Sequence, residues 1–132
     1  RARALTLPGK PSGAGGAILI ESPVATINGT LAVNGGGGAL FNGSTGGQPG
    51  QPGNTVALGA GVTAGTGSAG AQIAGGDGSN DGLSGNSSGG GGGGAGRIRI
   101  NTTAGEATFG ANAVLSPSRE TECVTEGELS TN

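Results

Sequence analysis

The stretch Gly89–Ile100 reads GGGGGGAGRIRI, and other parts of the chain follow the same plan. Six glycines and an Ala-Gly pair lead directly into the alternating residues 97–100, which predict a short β-strand. A weaker copy lies near the start, where residues 13–16 (GAGG) precede residues 17–21 (AILIE). Since a segment without large side chains precedes an Ile-rich strand in both places, we predict an all-β fold.

The composition makes a conventional hydrophobic core hard to build. Glycine accounts for 34 of the 132 residues, aromatic residues for 2%, and the chain has no Met, Trp or Tyr. Ordering a glycine costs more backbone entropy than ordering any other residue. We therefore expect the glycine tracts to be ordered only where neighbouring backbone supplies hydrogen bonds, either from the chain's own segments or from other copies of it.

Two parts of the chain resemble each other and predict two copies of one β-coil. The first has strand patterns at 17–21, 24–27 and 30–33, separated by the turn signals Ser22-Pro23 and Asn28-Gly29. The pattern returns from residue 96, where Gly96–Asn101 aligns with Gly16–Glu21. There Ala107–Gly110 aligns with Ala25–Asn28, and Ala113–Leu115 aligns with Leu31–Val33. Repeats that cannot bury their own faces must stack on neighbours, and with only two copies, stacking on other molecules is a natural solution.

These patterns divide a single domain into five parts. They are an N-terminal arm (1–12), a first β-coil (13–34), a glycine-rich insert (35–96), a second β-coil (97–118) and an acidic C-terminal tail (119–132). Within the insert, alternation of Val56, Leu58, Ala60, Val62 and Ala64 predicts a strand over 55–64. The fold class is thus short parallel β-solenoid-like or β-sandwich strands with a glycine-rich insert. That insert forms either extended strands or packed polyglycine II-like helices.

The placement of charge favours contacts between copies. The formal net charge is −2 and 11% of residues are charged, which gives no indication of nucleic-acid binding. The start of the chain is basic and its end acidic, so complementary ends would favour a head-to-tail interface, although solvated termini would look the same. The arm can also add to an edge strand. The predicted assembly residues are Arg1, Arg3, Leu5, Leu7, Glu120, Glu122, Glu126 and Cys123.

Little in the sequence indicates a reactive site. Cys123, the only cysteine, is either a buried small residue or half of an intermolecular disulfide. Asp77, Ser79 and Asp81 match the first half of a calcium loop, but Ser88 stands where its bidentate Glu belongs, and an Asx-rich turn is the alternative. Without histidine, a Ser or Cys nucleophile lacks its usual base. We therefore predict no enzymatic activity and no cofactor beyond this calcium candidate. Because no segment approaches the roughly 20 apolar residues of a membrane helix, we also predict no membrane insertion.

The stretches GGAILIESPVATINGTLAVNGGGG and GGGGGGAGRIRI resemble glycine-rich secreted bacterial proteins, notably large surface proteins of myxobacterial type. They are also similar to β-solenoid passengers of haemagglutinin-like adhesins and polymorphic outer-membrane proteins. The resemblance covers roughly residues 13–38 and 89–118. It implies a right-handed parallel β-solenoid, export, and a role at the cell surface or in the extracellular matrix.

Together these observations predict a secreted structural protein that assembles with itself, head-to-tail, into an extracellular filament or matrix fibre. The alternative is a non-enzymatic binding module: a cell-surface adhesin with surface glycans as partners, or an ice-binding protein. The ice-binding hypothesis places a flat Thr/Ala/Gly face at residues 62–66 (VTAGT). A filament requires polymer, whereas a binding module acts as a monomer.

Overall fold

The computed structural model describes residues 13–41, 45–80 and 88–130. Seven short strands and no α-helix occur in these residues, so the fold is all-β there. No helix in these ranges is long and apolar enough to cross a membrane. The strands are β1 (Ala17–Glu21), β2 (Thr26–Ile27), β3 (Thr30–Ala32), β4 (Arg97–Thr102), β5 (Thr108–Phe109), β6 (Val114–Ser116) and β7 (Val124–Glu128).

The strands form three parallel sheets with the orders β1-β4-β7, β2-β5 and β3-β6. The two sequence repeats therefore pair with each other. Ile18 lies opposite Ile98, and Thr26 opposite Thr108, in the register that the repeat alignment predicts. In the third sheet Leu31 lies opposite Leu115, two residues from the predicted alignment. The reason is the turn: four residues link β5 to β6, whereas two link β2 to β3.

The hydrophobic core lies between these sheets and centres on β4. Ile98 and Ile100 are fully buried, while Arg97 and Arg99 alternate with them on the outer face. Ala25, Val33 and Val124 complete the buried cluster, and half-buried side chains from β1, β2, β3, β5 and β6 pack around it. Burying an isoleucine side chain contributes about 1.5–3 kcal/mol. The middle strand buries its isoleucines fully because it has a neighbour on each side.

The glycine-rich region is held by backbone hydrogen bonds that recur at every third residue. Gly90, Gly93 and Gly96 donate to the carbonyls of Ala39, Gly36 and Val33. The residues just before them, Gly89, Gly92 and Ala95, donate to the carbonyls of Ser79, Gly76 and Ile73. The segment 89–96 thus donates hydrogen bonds to two neighbouring segments, 33–39 and 73–79. The sequence is compatible with hydrogen bonds from the chain's own segments or from other copies, and here the chain's own backbone supplies them.

The predicted strand over 55–64 is not formed. Burial follows every third residue, at Ala57, Ala60 and Thr63, rather than every second. Leu58 is 54% exposed and Val62 is 96% exposed, although alternation predicts that both share one face with Ala60, which is buried. The physical reason is that this segment bonds to three different neighbours, through the Ala57 carbonyl to Gly67, the Leu58 carbonyl to Gln48 and the Ala60 amide to Gly38.

The C-terminal residues contribute a strand to the core. Residues 119–132 were expected to form an acidic tail, yet β7 lies within them and pairs with β4 over five positions. Val124 is buried at the start of this strand, while Thr125 and Glu128 are exposed. Because β7 has no counterpart in the other two sheets, the first sheet is one strand deeper than they are.

Candidate functional site

The predicted assembly residues fall into three groups. Those of the arm, Arg1, Arg3, Leu5 and Leu7, lie outside the described residues. Glu120 and Glu122 are exposed near the end of the strand stack. Cys123 is a free thiol and is buried immediately before β7.

Glu126 already has partners within the chain. Its Oε1 lies 2.7 Å from a terminal guanidinium nitrogen of Arg119, and its Oε2 accepts a 2.7 Å hydrogen bond from the Ala107 amide. The Arg119 guanidinium in turn lies 4.4 Å from the centroid of the Phe109 ring. The Glu126 side chain is only 16% exposed, whereas the Arg119 side chain is 53% exposed, so solvent still screens the pair from the arginine side.

This cluster covers the second sheet at the end where the first sheet gains β7. Ala107 immediately precedes β5, and Glu126 satisfies its amide with a side chain. We therefore describe Arg119, Glu126 and Phe109 as the end cluster. The sequence offers one signal for it, since Glu126 shares the inward-facing parity of Val124. The charge pattern alone does not distinguish Glu126 from the other three glutamates near the end of the chain.

The calcium candidate lies on the surface of the glycine-rich region. Asp77 and Ser79 are exposed, and Asp81 lies outside the described residues. Ser79 uses both its amide and its hydroxyl on the carbonyl of Thr63. Among the described residues, no group of three or more His, Cys, Asp or Glu side chains could hold a metal ion.

The two ends of the first sheet are edge strands in the described part of the chain: β1 at one end and β7 at the other. On β1, the Gly16 carbonyl and the Ser22 amide both bond to the β4 side. Peptide groups alternate in direction along a strand, so the Leu19 amide points away from β4, toward the open edge. Within the described part of the chain, both edges thus present outward-pointing backbone groups to a further strand, apart from the Val124 amide, which donates to the Thr121 carbonyl.

A partly buried polar network joins the strand stack to the glycine-rich region. The Asn34 amide nitrogen donates to the carbonyls of Gln51 and Gly53, at 2.8 and 2.7 Å. Its oxygen accepts a 2.6 Å hydrogen bond from the Ser116 hydroxyl, which itself accepts one from the Gly70 amide. Ser116, on β6, is fully buried. This network fixes how the two regions are held together.

We expect Asn34→Ala to destabilise the protein by about 1–3 kcal/mol, because the change leaves the Ser116 hydroxyl and two carbonyls without their partner. Urea unfolding measures the difference. Gln51→Ala is the matched control, since among the described residues that side chain donates only to the exposed Pro49 carbonyl, and its own carbonyl is retained. Equal stability of the two variants would show that the network contributes little.

Apolar side chains are exposed on the glycine-rich region. Phe41 is 71% exposed, and it borders a groove of about 330 Å³ formed with Leu40 and the glycines of 89–91. Val62 is almost wholly exposed. The residue before it, Gly61, lies close to the Leu40 side chain. This groove is the other surface on which a partner could bind.

Comparison of the chain with protein-family models, with curated proteins and with solved structures finds no match.

Proposed function

We propose that the protein is a secreted, non-enzymatic structural protein whose copies assemble head-to-tail into an extracellular filament or matrix fibre. The observation that carries the proposal is the order β1-β4-β7, in which a wholly parallel sheet ends, among the described residues, in two open edges. Strand β1 of one copy pairs with β7 of the next copy, and the two strands run parallel, as β1 and β4 do within one chain. Assembly then continues a pairing that the chain already makes twice.

We further infer that the sheets form a short β-solenoid and that the glycine-rich region is a polyglycine II-type bundle. Three strands per repeat, each paired with its counterpart, support the first inference. Polyproline II-type helices have three residues per turn and no internal hydrogen bonds. Bonds to neighbouring segments at every third residue support the second. Such a bundle gives each copy a rigid flank without a large apolar core.

The chemistry of the two edges suits this addition. Residues 17–20 of β1 contain neither charge nor proline, the usual features that keep edges apart. Continuing the register places Ile18 of the added strand beside Val124 and Ile20 beside Glu126. The Glu126 carboxylate is already paired with Arg119, so the contact buries no unpartnered charge.

Electron microscopy of the purified protein at neutral pH tests the proposal. Three strands per copy at about 4.8 Å spacing predict a subunit repeat of about 14 Å along the filament and a 4.8 Å reflection in fibre diffraction. Reductant should change nothing, because the Cys123 thiol is buried. A protein that stays monomeric across a wide concentration range would contradict the proposal.

Leu19→Pro gives an edge-specific version of this test. The substitution removes an amide that points away from β4, so it should block addition at the β1 edge while leaving the sheet intact. Leu19→Ala, which keeps the amide, is the matched control and should still form filaments. Circular dichroism confirms that both variants fold. Unimpaired filaments of Leu19→Pro would rule out β1 as the connecting edge.

A surface-binding module such as an adhesin is the second candidate, favoured by the groove beside the exposed Phe41. The ice-binding form of this alternative has less support. Within its proposed face at 62–66, Thr63 is only 6% exposed and Gly65 is buried, so the stretch does not present a continuous flat surface. Binding to glycans by a permanently monomeric protein would favour the adhesin.

A further inference from the structure

A row of polar contacts crosses the outer face of the sheet β1-β4-β7. Glu21, Asn101 and Gly127 lie in register across the three strands. The Asn101 amide donates to Oε1 of Glu21 at 3.1 Å, and Nε of Arg99 donates to the Asn101 side-chain oxygen at 2.8 Å. The row therefore begins with a carboxylate at the β1 edge and carries a guanidinium toward the β7 edge.

Gly127 allows Arg99 to lie across β7. A Cβ atom at residue 127 would overlap the Arg99 guanidinium, so the position must lack a side chain for the guanidinium to lie there. Since β7 is an edge strand among the described residues, this guanidinium lies between β4 and the open edge. Arg99 is thus placed to meet whatever strand is added next.

We propose that Arg99 forms an ion pair with Glu21 of the next copy and so sets the register of the filament. This inference rests on the proposed head-to-tail assembly. Continuing the row by one strand places Glu21 of the incoming copy beside Gly127, about 4.8 Å away, where its carboxylate can reach the guanidinium. Within its own chain that Glu21 uses Oε1 to accept from Asn101, so Oε2 accepts from Arg99 of the neighbour.

The pair explains why one arrangement is preferred to others. A slip of one residue turns every side chain to the opposite face, and a slip of two places Leu19 instead of Glu21 beside Arg99. Joining two β7 edges brings together Glu126 and Glu128 from both copies, with no carboxylate opposite Arg99. Complementary charges of this kind select partner and register more than they add raw affinity.

Charge reversal tests the pair in the full-length protein. Arg99→Glu alone and Glu21→Arg alone each place like charges together at the contact, and each should raise the critical concentration for assembly roughly ten-fold or more. Mixing the two variants in equal amounts should restore assembly, because alternating copies then present opposite charges at every contact. The double variant in one chain should restore it as well. Circular dichroism and thermal unfolding show whether each variant folds.

A second substitution probes the same contact without changing any charge. Gly127→Ala should displace the guanidinium from the edge strand and raise the critical concentration, while the fold persists because only the end of a flexible side chain must shift. Gly29→Ala, where no atom would lie within 4 Å of the new Cβ, is the control and should assemble normally.

The outcomes separate this inference from the proposed function. If the unmodified protein never assembles, the proposed function fails. If it assembles and both single reversals assemble equally well, the ion pair is wrong while the filament stands. If both folded single variants lose assembly but their mixture does not regain it, Arg99 and Glu21 do not meet across the contact. Restoration by the mixture supports the pair.

Discussion

Replacing Gly93 with alanine is expected to destabilise the protein strongly. Gly93 is buried, donates to the Gly36 carbonyl and accepts from the Ser68 amide. A Cβ atom there would overlap the carbonyl of Gly13. Backbone, rather than the end of a flexible side chain, must then move. Overpacking of this kind typically costs about 1–3 kcal/mol, and we expect a value at or above the upper end because three bonded segments are displaced together.

Chemical unfolding of Gly93→Ala beside Gly46→Ala measures this effect. Gly46 has no atom within 4 Å of the position that a Cβ would take. Alanine there should leave the free energy of unfolding unchanged or raise it by about 0.4–1 kcal/mol, through lower entropy of the unfolded chain. If both variants were equally stable, close backbone approach would not be what orders the glycine-rich region.

The strands of the β-coils could be predicted because their signals are local. The pattern AILIE predicts the observed bounds of β1. The strand predicted at 97–100 is observed as β4, which continues for two more residues to Thr102. Repeated residues also predict that Ile18 corresponds to Ile98, although only the structure shows that the two copies pair with each other. The third sheet shows the limit: an ungapped alignment cannot place the two extra residues in the turn before β6, so the register of Leu31 is missed by two.

Residues 55–64 show why the glycine-rich region was harder to predict. A short Val/Ala/Gly stretch is compatible both with a strand, whose side chains alternate every second residue, and with the observed burial of every third residue. The number of neighbouring segments to which its backbone is hydrogen-bonded decides between the two. That number depends on distant residues such as Gly38 and Gly67, which the local pattern does not contain. Ala57 and Ala60 are buried because small side chains fit between closely spaced backbones.

The end cluster and Arg99 illustrate the same limit at the candidate site. Net charge predicts an acidic end to the chain, but only β7 pairing shows that Glu126 points inward, toward Arg119. Likewise, nothing local to Arg99 indicates that its guanidinium lies over Gly127, since the two residues are 28 positions apart. Charge composition indicates that the ends differ in sign, whereas strand register decides which side chains meet.

Replacing Ile100 with alanine is expected to cost about 2–5 kcal/mol, the usual range for emptying a buried isoleucine site. Ile100 is fully buried. It lies on the middle strand, β4, and is paired with Ile20 on one side and Glu126 on the other. Because few large side chains form this core, the void has few neighbours that can relax into it. Leu19→Ala, at a position that is 62% exposed, should cost much less and is the matched control.

The Ile100→Ala variant also tests whether the strand stack and the glycine-rich region unfold together. The Gly96 amide donates to the Val33 carbonyl, and the Asn34–Ser116 network links the same two regions, so we expect one cooperative transition. Amide hydrogen exchange should then accelerate at Gly93 as much as at Ile98. Protection at Gly93 that survives the loss of protection at Ile98 would mean that the glycine-rich region is stable alone. In that case its interlocking backbone, rather than the isoleucine core, would set the stability of this protein.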